Sequence, residues 1–292
     1  MGPPTQSILR ERLILYVRLV RLDKPIGTLL LLWPTLWALW VASRGRPGAR
    51  LLAIFVAGTV LMRSAGCAIN DYADRDYDPH VQRTRDRPLA ARRISSKEAL
   101  TIAGLLSLLA FLLVLPLNAL VIGLAFPAMF LAASYPYTKR FLALPQAYLG
   151  VAFGFGIPMA FAAVQDALPS ACWWMLAGNI AWTVAYDTEY AMVDREDDRR
   201  IGIRTSALLF GDHDVLAVAA CHGAFLACMG VVGATTGLGA PYFAGLALAG
   251  ALAAWQVRSI RGRERDRCFR AFLHNNWVGA SVFAGLFANW LI

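Results

Sequence analysis

Charged residues are scarce in this chain. They make up 16% of its 292 residues, whereas an average soluble domain contains about 25%. Hydrophobic residues make up 58%, above the roughly 45–50% of such domains. Both deviations argue against a soluble globular protein and favour an integral membrane protein.

The chain also lacks grouped cysteine and histidine residues. Its five cysteines contain no CxxC pair, and its four histidines are dispersed along the sequence. The cysteine pattern predicts neither a disulfide framework nor a thiolate metal site. The scattered histidines likewise argue against zinc or redox-metal chemistry.

Long apolar runs predict an all-α integral membrane protein. A helix needs roughly 20 predominantly apolar residues to cross about 30 Å of hydrocarbon, and helices satisfy their own backbone groups in lipid. We predict nine transmembrane helices in a bundle around a central cavity. They cover approximately residues 25–43, 51–69, 98–116, 118–135, 146–164, 170–188, 213–233, 241–257 and 272–291. Residues 1–24 form a predicted cytoplasmic N-terminal segment, and residues 25–292 form a single transmembrane domain.

Basic residues give this topology an orientation. Most of the 28 Lys and Arg residues precede the first span or lie in even-numbered loops. Because positive residues mark the cytoplasmic side, the N-terminus is predicted to be cytoplasmic. The net charge of +9 is then explained by anionic lipid head groups, with no nucleic-acid partner. A bacterial inner membrane is favoured, since a long transit segment is lacking; a mitochondrial inner membrane is the alternative.

Acidic residues are concentrated in two segments. Of the 19 acidic residues, five lie between Asp71 and Asp86 and six lie between Asp187 and Asp198. Each segment follows an even-numbered predicted helix, so both fall on the predicted cytoplasmic side.

Helical periodicity gives each segment a coherent acidic face. If the second helix continues through the first segment, four residues share an arc of about 100° and Asp76 points away. These four residues are Asn70, Asp71, Asp74 and Asp78. In the second segment three aspartates share about 40°, while Glu189 and Glu196 face away. These three residues are Asp187, Asp194 and Asp198.

Such crowded carboxylates predict a magnesium and diphosphate site. They repel one another unless a cation binds between them, and Mg²⁺ prefers carboxylates together with water and substrate phosphates. Nearby Arg83, Arg87 and Arg204 could bind phosphate oxygens. The alternative interpretation is a pair of solvated, mixed-charge loops.

The same residues carry a family resemblance. Residues 70–78 match the NDxxDxxxD motif of the UbiA superfamily of membrane prenyltransferases, and Asp194 with Asp198 resembles its second Asp-rich motif. Segments 21–27 (RLDKPIG), 83–89 (RTRDRPL) and 186–194 (YDTEYAMVD) resemble the 4-hydroxybenzoate polyprenyltransferase branch. At positions 204–206 Arg-Thr-Ser stands where that branch more often has Lys-Ser-Thr.

The resemblance implies an enzyme of ubiquinone biosynthesis. It would transfer a polyprenyl group from polyprenyl diphosphate to the ring carbon of 4-hydroxybenzoate ortho to the hydroxyl, with Mg²⁺ as cofactor and diphosphate released. The implied catalytic carboxylates are Asp71, Asp74, Asp78, Asp187, Asp194 and Asp198. The implied metal ligands among them are Asp74, Asp78, Asp194 and Asp198. The implied diphosphate-binding residues are Asn70, Arg83, Arg87, Lys139 and Arg204.

Binding of the aromatic acid would require residues beyond those assigned to Mg²⁺ and the diphosphate. Arg63 lies inside a predicted span, where an arginine is costly and usually functional, so we assign it to the substrate carboxylate or the diphosphate. A buried pair with an aspartate is the alternative. Lys24 and Arg21 are weaker candidates for the carboxylate and could instead be positive-inside anchors. Tyr135 could orient the acid, although tyrosine at a helix end is often an interfacial residue.

Three other functions are compatible with parts of the pattern. A prenyltransferase with a naphthoate, porphyrin or homogentisate acceptor would carry the same acidic segments. A transporter could use intramembrane carboxylates, but these usually lie near the bilayer midplane. A membrane scaffold would leave both acidic segments without a purpose. The oligomeric state and the prenyl chain length do not follow from the sequence.

Overall fold

The structure is a computed structural model that describes residues 4–291. In that range the chain forms helices and connecting turns, with no strand. The α-helices are α1 (Pro4–Leu19), α2 (Ile26–Ala42), α3 (Ala49–Ala73), α4 (Ser96–Val114), α5 (Ala119–Thr138), α6 (Pro145–Gly154), α7 (Gly156–Gln165), α8 (Ser170–Ile201), α9 (Ser206–Phe210), α10 (Asp214–Thr235), α11 (Ala240–Ser259) and α12 (Arg265–Asn289). Residues 1–3 of the predicted N-terminal segment and residue 292 of the predicted transmembrane domain lie outside the described residues.

Each predicted span coincides with a helix, and one of them is broken. The fifth predicted span consists of α6 and α7, which meet at Phe155. Pro158 lies in the first turn of α7 and has no backbone N–H to donate to Gly154. The two flanking glycines also lower the helix propensity. These residues account for the break.

Six segments within residues 4–291 are long and apolar enough to cross a membrane. They are Ala49–Ala73, Ser96–Val114, Ala119–Thr138, Pro145–Gln165, Ser206–Thr235 and Ala240–Gly262. Helix α2 is also apolar but has 17 residues, so it extends only about 26 Å. Helices α8 and α12 carry several charged residues at one end. Nine crossings and the orientation of the N-terminus therefore stay predictions.

An aromatic cluster forms the core where α2, α8 and α10 meet. The rings of Trp37 and Trp182 lie 5.3 Å apart, and Phe225 stacks on Trp182 at 5.6 Å. Buried indole N–H groups need acceptors. Trp37 Nε1 donates to the backbone oxygen of Gly279 at 3.1 Å, and Trp182 Nε1 donates to Asn275 Oδ1 at 2.9 Å. Both acceptors belong to α12, so these bonds also fix that helix.

Helices α6 and α8 approach each other closely at Gly150. A Cβ atom at this position would lie 2.8 Å from the Cα of Ile180, which no side chain tolerates without movement of the backbone. Asn179 Nδ2 donates to the backbone oxygen of Gly150 at 3.0 Å. Small residues at such crossings allow helices to pack tightly in a membrane. This contact positions α8, which carries the second acidic segment.

Candidate active site

The first acidic segment lies at the C-terminal end of α3, which extends beyond the predicted span of 51–69 but ends before Asp78. Helix α3 ends at Ala73, and the N–H of Asp74 donates to the oxygen of Asn70. A turn precedes Asp78, which begins a short 3-10 helix. The helical continuation through Asp78, on which the shared arc was calculated, is therefore absent. Pro79 was the available signal, because proline lacks an N–H and restricts the residue before it.

The turn nevertheless keeps the four polar side chains of this segment together. Arg87 Nη1 lies 2.9 Å from an oxygen of Asp78 and 3.3 Å from one of Asp71. Asn70 Nδ2 donates to Asp74 Oδ2 at 3.2 Å. These side chains therefore lie on a common face, as predicted, although they come from a helix end and a turn and not from one continuous helix.

The second acidic segment is helical, as predicted. Helix α8 continues to Ile201 and ends at Gly202, which adopts a left-handed conformation with φ of 73°. Asp187, Asp194 and Asp198 therefore share one face of the helix. The helical register, which the sequence defines, is sufficient to place them.

The remaining acids of both segments point elsewhere. The side chains of Asp76 and Glu196 are exposed by 76% and 73%. Glu189 is fully buried on another face of α8, where its Oε2 accepts a hydrogen bond from Asn275 Nδ2 at 2.7 Å. The predicted separation of inward and outward acids is correct for these three residues.

The two acidic segments meet around a small cavity of about 150 Å³. Most of the predicted site residues line it: Asn70, Asp74, Asp78, Arg83, Arg87, Tyr135, Lys139, Asp187, Asp194, Asp198 and Arg204. The three others line an adjacent, larger cavity: Lys24, Arg63 and Asp71. The structure therefore brings together residues that are more than a hundred positions apart in the sequence.

Basic side chains bind the carboxylates of the small cavity. Arg83 donates to Asp194 through Nε at 2.9 Å and through Nη2 at 2.5 Å, a two-point contact that fixes both groups. Lys139 Nζ donates to Asp74 Oδ2. In each pair the partners come from distant parts of the chain. The site therefore contains positively and negatively charged side chains in direct contact.

Arg21 makes a similar contact at the edge of the site. Its two terminal nitrogens donate to Asp71 at 2.6 and 3.2 Å. The carboxylate of Asp71 is fully buried, so an unpaired charge there would be costly. Arg21 is thus an aspartate partner in this structure, whereas the sequence suggested it as a weak candidate for a substrate carboxylate.

The carboxylate oxygens of the small cavity suit a hard divalent cation that would bind together with a phosphate ligand. Among residues 4–291 no three His, Cys, Asp or Glu side chains are grouped to hold a metal ion by themselves. Mg²⁺ needs only one or two carboxylates when substrate phosphates and water complete its shell. Asp74 Oδ1 is buried without a hydrogen-bond partner. Burial, together with the charge of Asp194, raises the pKa of Asp198 to about 7, so a nearby cation would favour the ionised form.

The larger cavity has a volume of about 870 Å³ and two chemically different parts. Arginine and lysine side chains line it near the acidic segments. Away from them its walls are mostly apolar and come from α3, α4, α5 and the α6–α7 pair. Examples of these apolar residues are Phe55, Phe111, Val114, Ala128 and Met129. Six residues line both cavities: Asn70, Arg83, Arg87, Tyr135, Asp187 and Tyr190.

Arg63 points into the larger cavity. Its Nε is buried without a hydrogen-bond partner, and its guanidinium carbon lies 5.8 Å from the ring centre of Phe153. An arginine with unused donors in an apolar environment is a strong site for an anionic group. The alternative of a buried pair with an aspartate has no ion pair to support it among the described residues.

Two residues of the site, Tyr190 and Gln146, are not among those predicted from the sequence. Tyr190 lies under the guanidinium of Arg83, 4.3 Å from ring centre to Cζ. It is three residues after Asp187 and four before Asp194, so helical spacing could have found it. Gln146 lines the small cavity and accepts a bond from the N–H of Ser206 at 3.0 Å; no sequence pattern indicated it.

Comparison with known sequences and structures finds similar proteins. The model of the UbiA prenyltransferase family matches residues 31–279. A relative from Azoarcus sp. (strain BH72), named 4-hydroxybenzoate octaprenyltransferase, is 65% identical over 284 residues, which cover 97% of this chain and 99% of the relative. The apo structure of a UbiA homolog from Aeropyrum pernix K1 is 25% identical, with a TM-score of 0.80 over 90% of this chain and 98% of that one.

A second solved structure has the same fold at lower identity. It is a UbiA homolog from Archaeoglobus fulgidus bound to GPP and Mg²⁺, with 15% identity and a TM-score of 0.68. The match covers 95% of this chain and 100% of that chain.

Proposed function

Because the chain belongs to the UbiA prenyltransferase family, we propose that it transfers a polyprenyl group to 4-hydroxybenzoate. The donor is polyprenyl diphosphate, the acceptor atom is the ring carbon ortho to the hydroxyl, and diphosphate is released. The observation that carries the proposal is the convergence of two acidic segments and four basic side chains at one end of a largely apolar cavity. A diphosphate joined to a long hydrocarbon matches this distribution of polarity.

The basic residues of the small cavity are suited to bind the diphosphate. Arg83, Arg87, Lys139 and Arg204 line it together with the carboxylates. The carboxylates that would hold Mg²⁺ are Asp74, Asp78, Asp194 and Asp198. Bound Mg²⁺ would supply positive charge against the departing diphosphate. The ion pairs of the aspartates with Arg83 and Lys139 can open, so that each cation turns to a phosphate oxygen.

The reaction then needs little beyond charge stabilisation and positioning. As the bond between carbon and oxygen breaks, arginine and lysine donors stabilise the negative charge that grows on the diphosphate. The allylic carbon becomes cationic and is attacked by the electron-rich ring. The ring proton must leave to restore aromaticity, and a carboxylate of the second segment is within the same cavity. Asp187, which lines both cavities, is the best positioned base.

The aromatic acid is proposed to bind beside the junction of the two cavities. Arg63 would bind its carboxylate, since the guanidinium has an unused buried donor. Tyr135 lines both cavities and would orient the ring. Lys24 lies at the edge of the larger cavity and would attract the acid as it enters.

The apolar part of the larger cavity would receive the prenyl chain. Its walls from α3, α4 and α5 offer no charge beyond the polar end, so a hydrocarbon is the ligand that matches them. The Azoarcus relative is named an octaprenyltransferase, which makes an eight-unit chain the first donor to test. We also propose that the protein lies in a bacterial inner membrane with its N-terminus and both acidic segments on the cytoplasmic side.

A product assay tests the proposal. Purified protein in lipid vesicles is incubated with Mg²⁺, prenyl diphosphates of several lengths and, in separate reactions, 4-hydroxybenzoate, a naphthoate or homogentisate. The lipid extract is examined by mass spectrometry. We expect prenylated 4-hydroxybenzoate and release of diphosphate. Product with a naphthoate or homogentisate acceptor, but none with 4-hydroxybenzoate, would disprove the acceptor assignment while retaining the prenyltransferase.

A further inference from the structure

The outer face of α1 is apolar and exposed. Leu9 and Leu13 have exposed fractions of 62% and 63%, and Ile14 and Val17 have 44% and 39%. On a helix these four residues share an arc of about 140°, which also contains the exposed Arg10. Exposed apolar surface of this extent on one helix face marks an interaction surface.

The opposite face of α1 is packed on the rest of the protein. Leu15 and Leu19 are buried in a cluster with residues of α3 and α4. Arg12 Nη1 and the hydroxyl of Tyr16 both donate to Glu98 Oε1, at 3.2 and 3.1 Å. Helix α1 is therefore held in place, and its outer apolar face has a fixed direction.

The position of α1 identifies the partner. It packs on the C-terminal end of α3 and the first turns of α4, where these apolar spans end. Helix α4 exposes leucines from its second turn onward, beginning with Leu100 and Leu105. Arg10 and Arg18 are exposed on α1 and are complementary to anionic head groups. We propose that the outer face of α1 inserts at the boundary between head groups and acyl chains of a bilayer that contains anionic phospholipid.

This interfacial helix is connected to the active site through Arg21. The φ angle of Arg21 is 59°, and its Nη1 donates to the backbone oxygens of Arg18 and Leu19 at the end of α1, at 2.8 and 3.3 Å. The same guanidinium binds both oxygens of Asp71. Insertion of α1 therefore positions Arg21 on Asp71. This second step rests on the proposed function, because it assumes that Asp71 takes part in transfer.

Photo-crosslinking tests the membrane contact independently of activity. p-Benzoylphenylalanine is placed at Leu13 or, as a control, at Glu11, which is exposed on α1 outside the apolar arc. The full-length protein is irradiated in vesicles of phosphatidylcholine and phosphatidylglycerol. We expect phospholipid adducts from position 13 and few from position 11. Equal yields at both positions, or no lipid adduct at position 13, would overturn the proposal.

A double-mutant comparison tests the connection to Arg21. Leu13→Gln with Val17→Gln should lower the transfer rate about tenfold in the wild-type background and less than twofold when Arg21→Ala is already present. Leu216→Gln, at a position on α10 that is 67% exposed, is the matched control and should leave the rate unchanged. Equal losses in both backgrounds would disprove coupling through Arg21. Failure of the wild type to prenylate 4-hydroxybenzoate would disprove the proposed function and leave the crosslinking result intact.

Discussion

The guanidinium of Arg63 lies directly against the backbone of Gly27. A Cβ atom at position 27 would be 2.5 Å from Nη2 and 3.0 Å from Nε of Arg63, whereas nonbonded atoms are in ordinary contact at about 3.5–4.0 Å. Gly27 is thus needed to make room for the arginine, and the position of that arginine is sensitive to a single methyl group on the neighbouring helix.

Gly27→Ala should therefore displace Arg63 and weaken binding of the aromatic acid. We expect the KM for 4-hydroxybenzoate to rise about tenfold, or about 1.4 kcal/mol, with little change in the KM for the prenyl diphosphate. Steady-state kinetics in vesicles provide the measurement. Gly230→Ala is the control, because a Cβ there meets nothing within 4 Å. Equal KM values for Gly27→Ala and the wild type would contradict the role of Arg63.

Asp194→Asn should abolish transfer without unfolding the protein. The change keeps the shape of the side chain but removes the charge that Arg83 and a metal ion would bind. We expect the rate to fall about a thousandfold, the upper end of the range associated with loss of one electrostatic contact to the transition state. Glu196→Gln, on the same helix but with a 73% exposed side chain, should retain wild-type activity. A fully active Asp194→Asn protein would contradict the model of two acidic segments.

Removal of divalent cations should stop transfer and leave the fold intact. The carboxylates are bound by the chain's own basic residues, as in the Asp74–Lys139 pair, so folding does not need a metal. We expect EDTA alone to leave Tm unchanged. Mg²⁺ should raise Tm only when inorganic diphosphate is also present, by the several degrees expected of a ligand that stabilises by about 2.7 kcal/mol at a hundred times its Kd. A shift with Mg²⁺ alone would indicate a preformed metal site instead.

Narrowing of the larger cavity should discriminate between donors of different length. Ala128 lines its apolar part, and Ala128→Phe would fill space that a long chain needs. We expect transfer of an octaprenyl group to fall more than tenfold and transfer of a geranyl group to change less than threefold. Ala254→Phe, at an exposed position of α11, serves as the control. Equal losses of transfer rate for both donors would indicate that the prenyl chain binds elsewhere.

The sequence predicts the second acidic segment better than the first. Asp187, Asp194 and Asp198 lie within one continuous helix, so a fixed rotation per residue is enough to align them. Asp78 lies beyond the end of α3, and its position depends on a turn whose only local signal is Pro79. Long apolar runs likewise predict the positions of the helices. They do not predict the break at Phe155, which depends on local features within such a run.

Contacts between distant residues could not be predicted from one sequence. The pairs Arg83–Asp194 and Arg21–Asp71 depend on how α3, α8 and the loops pack. Helix α1 was missed because its apolar residues are too few for a span. The role of these apolar residues follows only from the structure, in which the opposite face of α1 packs against α3 and α4. In each case the local sequence leaves several partners open and the tertiary structure selects one.

The shared wall between the two cavities has a consequence for substrate length. An amphiphile that follows the change from charged to apolar lining can bind in only one direction, with its headgroup beside the aspartates. The bound headgroup then fixes the position of the scissile bond, and additional isoprene units extend away from the reacting carbon. Such an enzyme can accept chains of different length without any adjustment of its chemistry, so long as the far end of the tail has room.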